Sequence, residues 1–362
     1  MKRSEKAANV IRRCRGLTGM WASADRYSRM CWTRDFGFSV PGIIASGNGD
    51  AVRVHLRELA RRQAPSGRIP VWFFDGAFRA SCSRLLRIEH NLLLVPRLFT
   101  KAPISWLHSI AARFGSPHHA GDSELHFAIA VKEYADKTRD INFPLSVRDS
   151  AHRAIEYVED HLLEDGLVSG TDWRDVDYHL LGATLLSNNC LFYRALKLWG
   201  RDEDAESVKQ LVRKKFLRGM WFADRPNSEE FELSGNALAI LSGVAEREEA
   251  LWILECSKVY EREFGFISPG VDLPPQNFRE RAISKKILSE NSGRVFSLVN
   301  GLLMLAALKA GFPDFARDIF EKRSRISDFP EWIDPFHGSS QGARTFLWDA
   351  SMYLEAAQAL SR

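Results

Sequence analysis

A glutamate beside aromatic residues marks the segment of the chain best equipped for chemistry. In residues 329–338 (FPEWIDPFHG), Glu331 is followed at once by Trp332, and His337 stands near the end of the same loop. An indole ring offers an apolar face to the C–H groups of a sugar, and a nearby carboxylate can activate a water molecule. The segment suits a saccharide pocket, whereas the alternative interpretation is an ordinary turn with Trp332 in the core.

A second acidic loop spans residues 165–177, where Asp172 and Asp175 flank Trp173. Charge repulsion and partial burial beside an indole can raise the pKa of a carboxyl until it donates a proton at neutral pH. The alternative is a solvated loop whose first acids cap the following helix. Two carboxylates on separate loops are what glycoside hydrolysis needs, since one protonates the departing oxygen and the other activates water or attacks the sugar.

Three further segments carry polar residues beside aromatics. Trp32, Arg34 and Asp35 stand together near the start, and their side chains could bind sugar hydroxyls through directed hydrogen bonds. Asp35 could instead cap the next helix, with Arg34 in a surface ion pair. The same two interpretations apply to GRIPVWFFDG at 67–76, which contains Trp72 and Asp75, and to GDSELHF at 121–127, which contains Asp122.

Composition and motifs exclude several other classes of protein. The 50 basic and 46 acidic residues leave a formal charge of only +4, which does not indicate a nucleic-acid-binding protein. The five cysteines form no C-x-x-C pair, and His118-His119 lacks the spacing of a metal site, so no metal or other cofactor is expected. No phosphate-binding or dinucleotide-binding glycine loop occurs. Without a signal peptide or a long apolar segment, a cytoplasmic protein with no membrane association is expected.

The elements that must position these residues are mostly helices, because apolar residues recur at helical spacing and the only obvious strand is at 71–76. Very short connections join several helix pairs into hairpins, and longer aromatic-rich loops separate the pairs. This alternation predicts an all-α ring of helical hairpins in a single domain over 1–362, with 81–118 as a helical insertion or lid. Helices are predicted near 4–15, 35–46, 49–63, 121–138, 145–164, 179–199, 202–218, 229–243, 246–262, 292–310, 312–325 and 341–361.

The ordered set of segments resembles the six-hairpin glycosidases, in particular the glucosidase domain of glycogen-debranching enzymes and the processing α-glucosidases. The resemblance covers roughly residues 27–361 and rests on WTRDFGFSVPG, GRIPVWFFDG, GDSELHFAIAVKEYADKTRD, SGTDWRD, NNCLFYRALKLWG, SGNALAILSG, GRVFSLVNGLLMLAALKAG and EWIDPFHGSSQGARTFLWDA. It implies an (α/α)6 toroid whose long loops lie on the face that carries the active site.

The same resemblance implies roles for individual residues. Asp175 stands where the family places its general acid, with Asp172 as the alternative, and Glu331 stands where it places the general base. Ser187 and Asn188 occupy positions where debranching enzymes often carry an acid, a departure that weakens the case for glycogen as substrate. The remaining residues expected to contact the substrate are Trp32, Arg34, Asp35, Trp72, Asp75, Asp122, Trp173, Asn189, Trp332, His337 and Trp348.

Together these features predict an exo-acting, inverting hydrolase of an oligosaccharide or small glycoside, without cofactor or metal. Its two carboxyls are then expected roughly 6.5–9.5 Å apart, so that a water molecule fits between base and sugar. Two other functions stay open: another toroid enzyme, such as a phosphorylase, lyase or epimerase, and a noncatalytic glycan-binding protein that keeps the pocket without the activity.

Overall fold

The protein is predominantly helical over the part of the chain that its computed structural model describes, residues 3–76, 120–140, 142–174, 180, 182–268 and 293–361. Twelve α-helices occur within these ranges. They are α1 (Arg3–Arg13), α2 (Thr33–Ala45), α3 (Gly49–Arg62), α4 (Ser123–Thr138), α5 (Asn142–His161), α6 (Leu186–Leu198), α7 (Asp202–Phe216), α8 (Leu233–Ser242), α9 (Arg247–Ser257), α10 (Ser297–Ala310), α11 (Pro313–Ser324) and α12 (Leu347–Leu360).

The even-numbered helices form a closed inner ring. Each packs against the next, from α2 through α4, α6, α8 and α10 to α12, and α12 packs back against α2. The odd-numbered helices lie outside, and the last inner helix, α12, is covered by the N-terminal helix α1. The six pairs of inner and outer helices confirm the all-α toroid that the sequence predicts.

Inner and outer helices differ in sequence because they bury different fractions of their surface. Along α7 the buried residues Ala205, Val208, Val212 and Phe216 form one stripe, and charged residues cover the rest. Helix α10, by contrast, is apolar over most of its surface and buries nearly every residue of its first three turns. Packing on all sides therefore explains the weak amphipathicity of the inner helices.

Short strands lie at one end of the ring. Two-stranded antiparallel hairpins follow α5, α7 and α9, namely β3 (Leu163–Glu164) with β4 (Leu167–Val168), β5 (Leu217–Arg218) with β6 (Trp221–Phe222) and β7 (Glu261–Arg262) with β8 (Gly265–Phe266). Strands β9 (Val295–Phe296), β10 (Trp332–Ile333) and β11 (Ser340–Gln341) form a three-stranded sheet, and β1 (Met30–Trp32) pairs with β2 (Trp72–Phe74). The strand predicted at 71–76 is confirmed as β2, whereas strands of two residues are too short to show alternation in the sequence.

A repeated asparagine ties three of these hairpins to the inner helices. The Asn189 side chain accepts a hydrogen bond from the Val168 amide at 2.8 Å and donates to the Val168 carbonyl at 3.1 Å and the Leu185 carbonyl at 2.8 Å. Asn236 and Asn300 stand at the same fourth position of α8 and α10 and make the equivalent bonds, with Phe222 and Glu232 and with Phe266 and Phe296, respectively. Each asparagine therefore fixes a hairpin against the first turn of an inner helix.

The predicted helices differ from the observed ones mainly at their N-termini. Helices predicted from 179, 292 and 341 begin instead at Leu186, Ser297 and Leu347. In each case the residue before the helix has an extended backbone, since the chain enters the inner ring from a strand or loop. The proposed insertion at 81–118 lies outside the described residues. Within the described chain, no helix is both long enough and apolar enough to cross a membrane.

Candidate active site

The N-termini of the inner helices gather at one end of the ring. Every inner helix except α12 turns into its outer partner through a short connection, such as 46–48, 199–201 or 311–312, at the opposite end. The long segments that lead back to the next inner helix therefore meet at the N-terminal end. Paired backbone bridges join them there, including Ser23 with Phe346 and Phe329 with Thr345.

Glu331 lies at this end, directly before β10, and is held from several sides. Its Oε1 accepts a hydrogen bond from the Tyr27 hydroxyl at 3.2 Å, and its Oε2 accepts one from the Ala343 amide at 3.1 Å. The Arg26 guanidinium stands 3.8 Å from Oε2. The Glu331 backbone carbonyl also accepts bonds from the amide and hydroxyl of Ser297, so the residue is anchored to α10 as well.

Burial raises the pKa of Glu331 to about 7, although the charge of Arg26 and the bonds from Ala343 and Tyr27 act to lower it. Its carboxyl is therefore poised between the two protonation states near neutral pH. That balance favours proton transfer, and strongly shifted carboxyls of this kind concentrate at functional sites.

Aromatic rings connect the Glu331 loop with the loop that carries Trp173. The Phe296 ring lies 5.6 Å from the Trp332 ring and 4.9 Å from the Trp173 ring, measured between centroids, and 6.3 Å from Trp348. Trp173 Nε1 donates to the Ser234 hydroxyl at 2.8 Å, which fixes the ring against α8. The two loops expected to supply the carboxyls thus meet on one aromatic cluster.

Asp172 is buried and fully engaged by its neighbours. Its carboxylate accepts bonds from the Arg174 side chain at 2.8 and 3.0 Å, from the Arg174 amide at 2.9 Å and from the Ser187 hydroxyl at 2.7 Å. Burial alone would raise the pKa of Asp172, but Arg174 and Ser187 outweigh it, and the pKa lies below its usual value. Asp172 is therefore ionised at neutral pH and poorly suited to donate a proton. Asp175 lies outside the described residues.

Arg174 links Asp172 to two acids that the sequence reasoning did not select. Its guanidinium also pairs with Asp224 at 2.8 Å, and its charge acts on Glu232. Burial raises the pKa of Glu232, whose carboxyl accepts a hydrogen bond from the Ser234 hydroxyl that holds Trp173. The sequence analysis gave no signal for this network, since Asp224 and Glu232 lie outside the segments selected for chemistry.

On the opposite side of the ring, Arg34 forms a buried, bidentate ion pair with Asp122, and its Nη2 lies 3.2 Å from Oδ1. Asp35 is buried beside Arg34 at the start of α2. The Trp32 and Trp72 rings lie 6.1 Å apart on the paired strands β1 and β2. The structure therefore brings these five residues together in one region, as the order of their segments implies.

Three residues expected to contact substrate have other partners. The Asp75 carboxylate accepts four bonds from Leu17, Thr18 and Trp21, which tie down the loop after α1. Asn189 is completely buried, and its amide is used by the backbone bonds described above. His337 is largely exposed, with Nδ1 3.1 Å from Asp334 in a tight turn. The sequence analysis did not select Arg26 or Tyr27 as site residues, although both stand at the start of RYSRMCWTRDF, the segment that contains Trp32, Arg34 and Asp35.

No group of three or more histidine, cysteine, aspartate or glutamate side chains is arranged to hold a metal ion within the described ranges. The arrangement at Glu331 is instead one of carboxyls, aromatic faces and hydrogen-bond donors. Such a site can bind a polyhydroxylated ligand and move protons.

Comparison with protein-family profiles finds no match, and comparison with curated proteins finds none either. Solved structures do match. A glycosidase variant in complex with glucose has a TM-score of 0.70 at 15% identity, with 99% of this chain and 96% of that chain covered. A GH63 mannosylglycerate hydrolase from Thermus thermophilus, in complex with glucose, has a TM-score of 0.66 at 14% identity, covering 97% and 98%. An uncharacterised conserved protein from the same organism scores 0.67 at 13% identity, covering 98% and 99%.

These matches run over nearly the full length of both chains. The protein therefore has the fold of the α/α-toroid glycosidases, as its sequence resemblance implies. At 13–15% identity the likeness concerns the fold, and the chemistry must be argued from this chain's own residues.

Proposed function

We propose that this chain is a glycoside hydrolase whose general base is Glu331. The observation that carries the proposal is the environment of that carboxyl: it is buried, anchored by Tyr27 and Ala343 and adjacent to Trp332, at the end of the toroid where the long loops meet. Aromatic faces suit sugar C–H groups, and a carboxyl with a pKa of about 7 can accept a proton from water.

The reaction proposed is inverting. Glu331 takes a proton from a water molecule as that water attacks the anomeric carbon, and Asp175 protonates the departing glycosidic oxygen on the opposite face. Asp172 was the alternative acid. Its ion pair with Arg174 keeps it charged, which favours Asp175, one residue beyond Arg174, for the role that requires a proton.

The substrate proposed is an oligosaccharide or small glycoside cleaved from its end. Two of the matching structures contain glucose, and one of them is a mannosylglycerate hydrolase, so a hexose at the cleaved position is a reasonable first choice. Arg34 with Asp122, and the pair Trp32 and Trp72, are proposed to line the sugar site through hydrogen bonds and ring stacking, respectively.

The test is a panel of glucosides and mannosides with natural and small aglycones, incubated with purified protein and with Glu331→Gln as the control. Hydrolysis by the wild type alone is expected, and NMR of the first product formed is expected to show the inverted anomer. A product with retained configuration contradicts the inverting route. Turnover that requires phosphate, or that yields an unsaturated sugar, contradicts hydrolysis itself.

A further inference from the structure

A cavity of about 290 Å³ lies on the axis of the ring, past the first turn of the inner helices and so beyond the candidate active site. This volume is close to the lower end of the range for small-molecule sites, about 300–1,000 Å³. All six inner helices contribute to it. Its lining includes Ile129, Leu241, Leu302, Leu305, Met352 and Glu355.

Much of the wall of this axial cavity is apolar. Ile129, Leu302 and Met352 are buried, whereas Leu241 and Leu305 remain half-buried although they stand on inner helices. Half-buried leucines in the wall indicate that the cavity is reached from solvent at the end of the ring that carries the short turns. An apolar body that covers these leucines would be stabilised by their removal from water.

Four charged side chains face the cavity from four helices. Glu133 of α4 and Arg194 of α6 form an ion pair, and the Lys309 ammonium of α10 donates a hydrogen bond to the Leu241 carbonyl. Among the described residues, no hydrogen bond or ion pair reaches the carboxyl of Glu355 on α12. Burial, and then repulsion from Glu133, raise the pKa of Glu355 to about 7. Arg194, Glu133 and Lys309 therefore each have a hydrogen-bonding partner. The carboxyl of Glu355 has none among the described residues.

We propose that this axial cavity is a second ligand site, specific for a small organic ammonium ion. The ammonium group donates hydrogen bonds to Glu355, and the apolar body packs against Leu241, Leu302 and Leu305. A neutral ligand leaves the half-buried carboxylate without a charged partner, and an anionic ligand places a second negative charge beside it. The site is independent of the proposed hydrolase activity.

The proposal makes binding dependent on pH. The groups that face or act on Glu355 are His126, Glu133 and Lys137 of α4, Arg194 of α6 and Lys309 of α10. Burial lowers the pKa of His126 well below its usual value, so its ring is neutral at neutral pH and does not oppose a cation. Because the ligand pairs with the ionised acid, affinity rises with pH through about 7 and falls again only where the ligand loses its own proton.

The test is calorimetric titration of the whole protein at about pH 8 with cyclohexylammonium, cyclohexanol and cyclohexanecarboxylate, three probes of similar size. The ammonium ion is expected to bind at least about tenfold more tightly than the alcohol, since hydrogen bonds between charged partners contribute about 1.5–3 kcal/mol. The carboxylate is expected not to bind. Titration at about pH 5.5 should weaken the binding of the ammonium ion and leave that of the alcohol unchanged.

Two variants locate the site. Glu355→Gln should reduce ammonium binding to the level of the alcohol, and Leu305→Trp, which fills the cavity, should abolish binding of both. Glu331→Gln should bind the ammonium ion as the wild type does. Equal binding of alcohol and ammonium, unchanged binding in Glu355→Gln, or no detectable heat with the ammonium ion at millimolar concentration would overturn the proposal and leave a solvent-filled cavity.

Discussion

Glu331 is anchored on several sides, and its carboxyl nevertheless keeps a raised pKa. Its backbone and side chain are held by α10, by the loop before α12 and by Tyr27, yet its pKa is raised by burial rather than lowered by a tight ion pair. Asp172, equally buried, shows the opposite case, because Arg174 compensates its charge. Environment separates the two acids into one that can exchange a proton near neutral pH and one that stays ionised.

Replacing Glu331 with Gln should lower kcat by about 10²–10⁴-fold, since the amide keeps the shape of the acid but cannot accept a proton. The matched control is Glu321→Gln, the same chemical change at an exposed position of α11. Steady-state kinetics on the best substrate of the panel measure both variants. Turnover equal to the wild type in Glu331→Gln rejects this residue as the base.

Above pH 7, Glu331→Gln should be at least as stable as the wild type. The folded-state pKa of Glu331 is raised, so the stabilisation that comes from its protonated form is complete below its unfolded pKa and is lost as pH rises through about 7. Glutamine cannot ionise, and thermal unfolding at about pH 8 should therefore show a Tm equal to or above that of the wild type. A large drop in Tm at that pH would mean that lost activity reports misfolding.

The pH profile distinguishes a base from an acid. If Glu331 must be ionised, kcat/KM falls on the acidic side with a midpoint near pH 7, whereas an acid at this position would produce a fall on the alkaline side. Tyr27→Phe removes a hydrogen bond that favours the ionised form. It should move the acidic limb upward by about half to one pH unit, the equivalent of ~0.5–1.5 kcal/mol for one bond. A limb that does not move indicates that another group titrates.

Asp175→Asn should lose activity, whereas Asp172→Asn should lose stability. Loss of the proposed acid, Asp175, should harm a natural glycoside far more than one with an activated leaving group, because a good leaving group needs little protonation. Asp172→Asn should instead lower Tm, because it removes one ionic partner of buried Arg174. Kinetics with both substrates and thermal unfolding of both variants distinguish these effects. If Asp172→Asn cleaves the activated substrate well and the natural one poorly, Asp172 rather than Asp175 is the acid.

Among the secondary-structure elements, one arrangement recurs: an asparagine side chain holds an inner helix to the hairpin that precedes it. Asn189, Asn236 and Asn300 satisfy backbone groups that a two-residue strand leaves open, and they do so at the end of the ring where the candidate site lies. The clamp beside Asn236 also positions the start of α8, where Ser234 holds Trp173. Geometry at the site therefore depends on hydrogen bonds that do not touch the site.

Asn236→Ala should destabilise the protein by about 2–4 kcal/mol, because it leaves the buried amide and carbonyl of Phe222 without partners. Asn227→Ala, at an exposed position in the same loop region, is the control and should change little. Urea unfolding monitored by circular dichroism measures both. A loss below about 0.5 kcal/mol in Asn236→Ala would show that the clamp adds nothing to stability.

At the scale of the whole molecule, closure of the ring depends on α12 and on the helix that covers it. Helix α1 covers α12 with Ala7, Val10 and Ile11, and α12 completes the inner ring against α2. Trp348 and the loop that anchors Glu331 adjoin the start of α12. The geometry of the candidate site therefore depends on how α12 packs in the ring.

Ile11→Ala tests that connection. Removal of a fully buried isoleucine side chain should lower the free energy of unfolding by about 2–5 kcal/mol, whereas Lys6→Ala on the exposed face of α1 should have little effect. Activity of Ile11→Ala should fall at a lower temperature than that of the wild type, in step with its unfolding curve. Unfolding of α1 without loss of activity would show that the site does not need the cover that α1 gives to α12.

Local patterns in the sequence determined the helices, their short turns and the presence of a glutamate among aromatics, because helical periodicity and turn residues act over a few positions. The alternation of short turns and long loops predicted the ring, and the resemblance of segments spread along the chain implied its six hairpins. Tertiary structure alone decided that Tyr27 reaches Glu331 across 304 positions, that Arg174 neutralises Asp172, and that Asn189 and Asp75 serve the backbone rather than an open site. The physical reason is that pKa and hydrogen-bond availability depend on neighbours brought together by folding, which residue type and spacing do not specify.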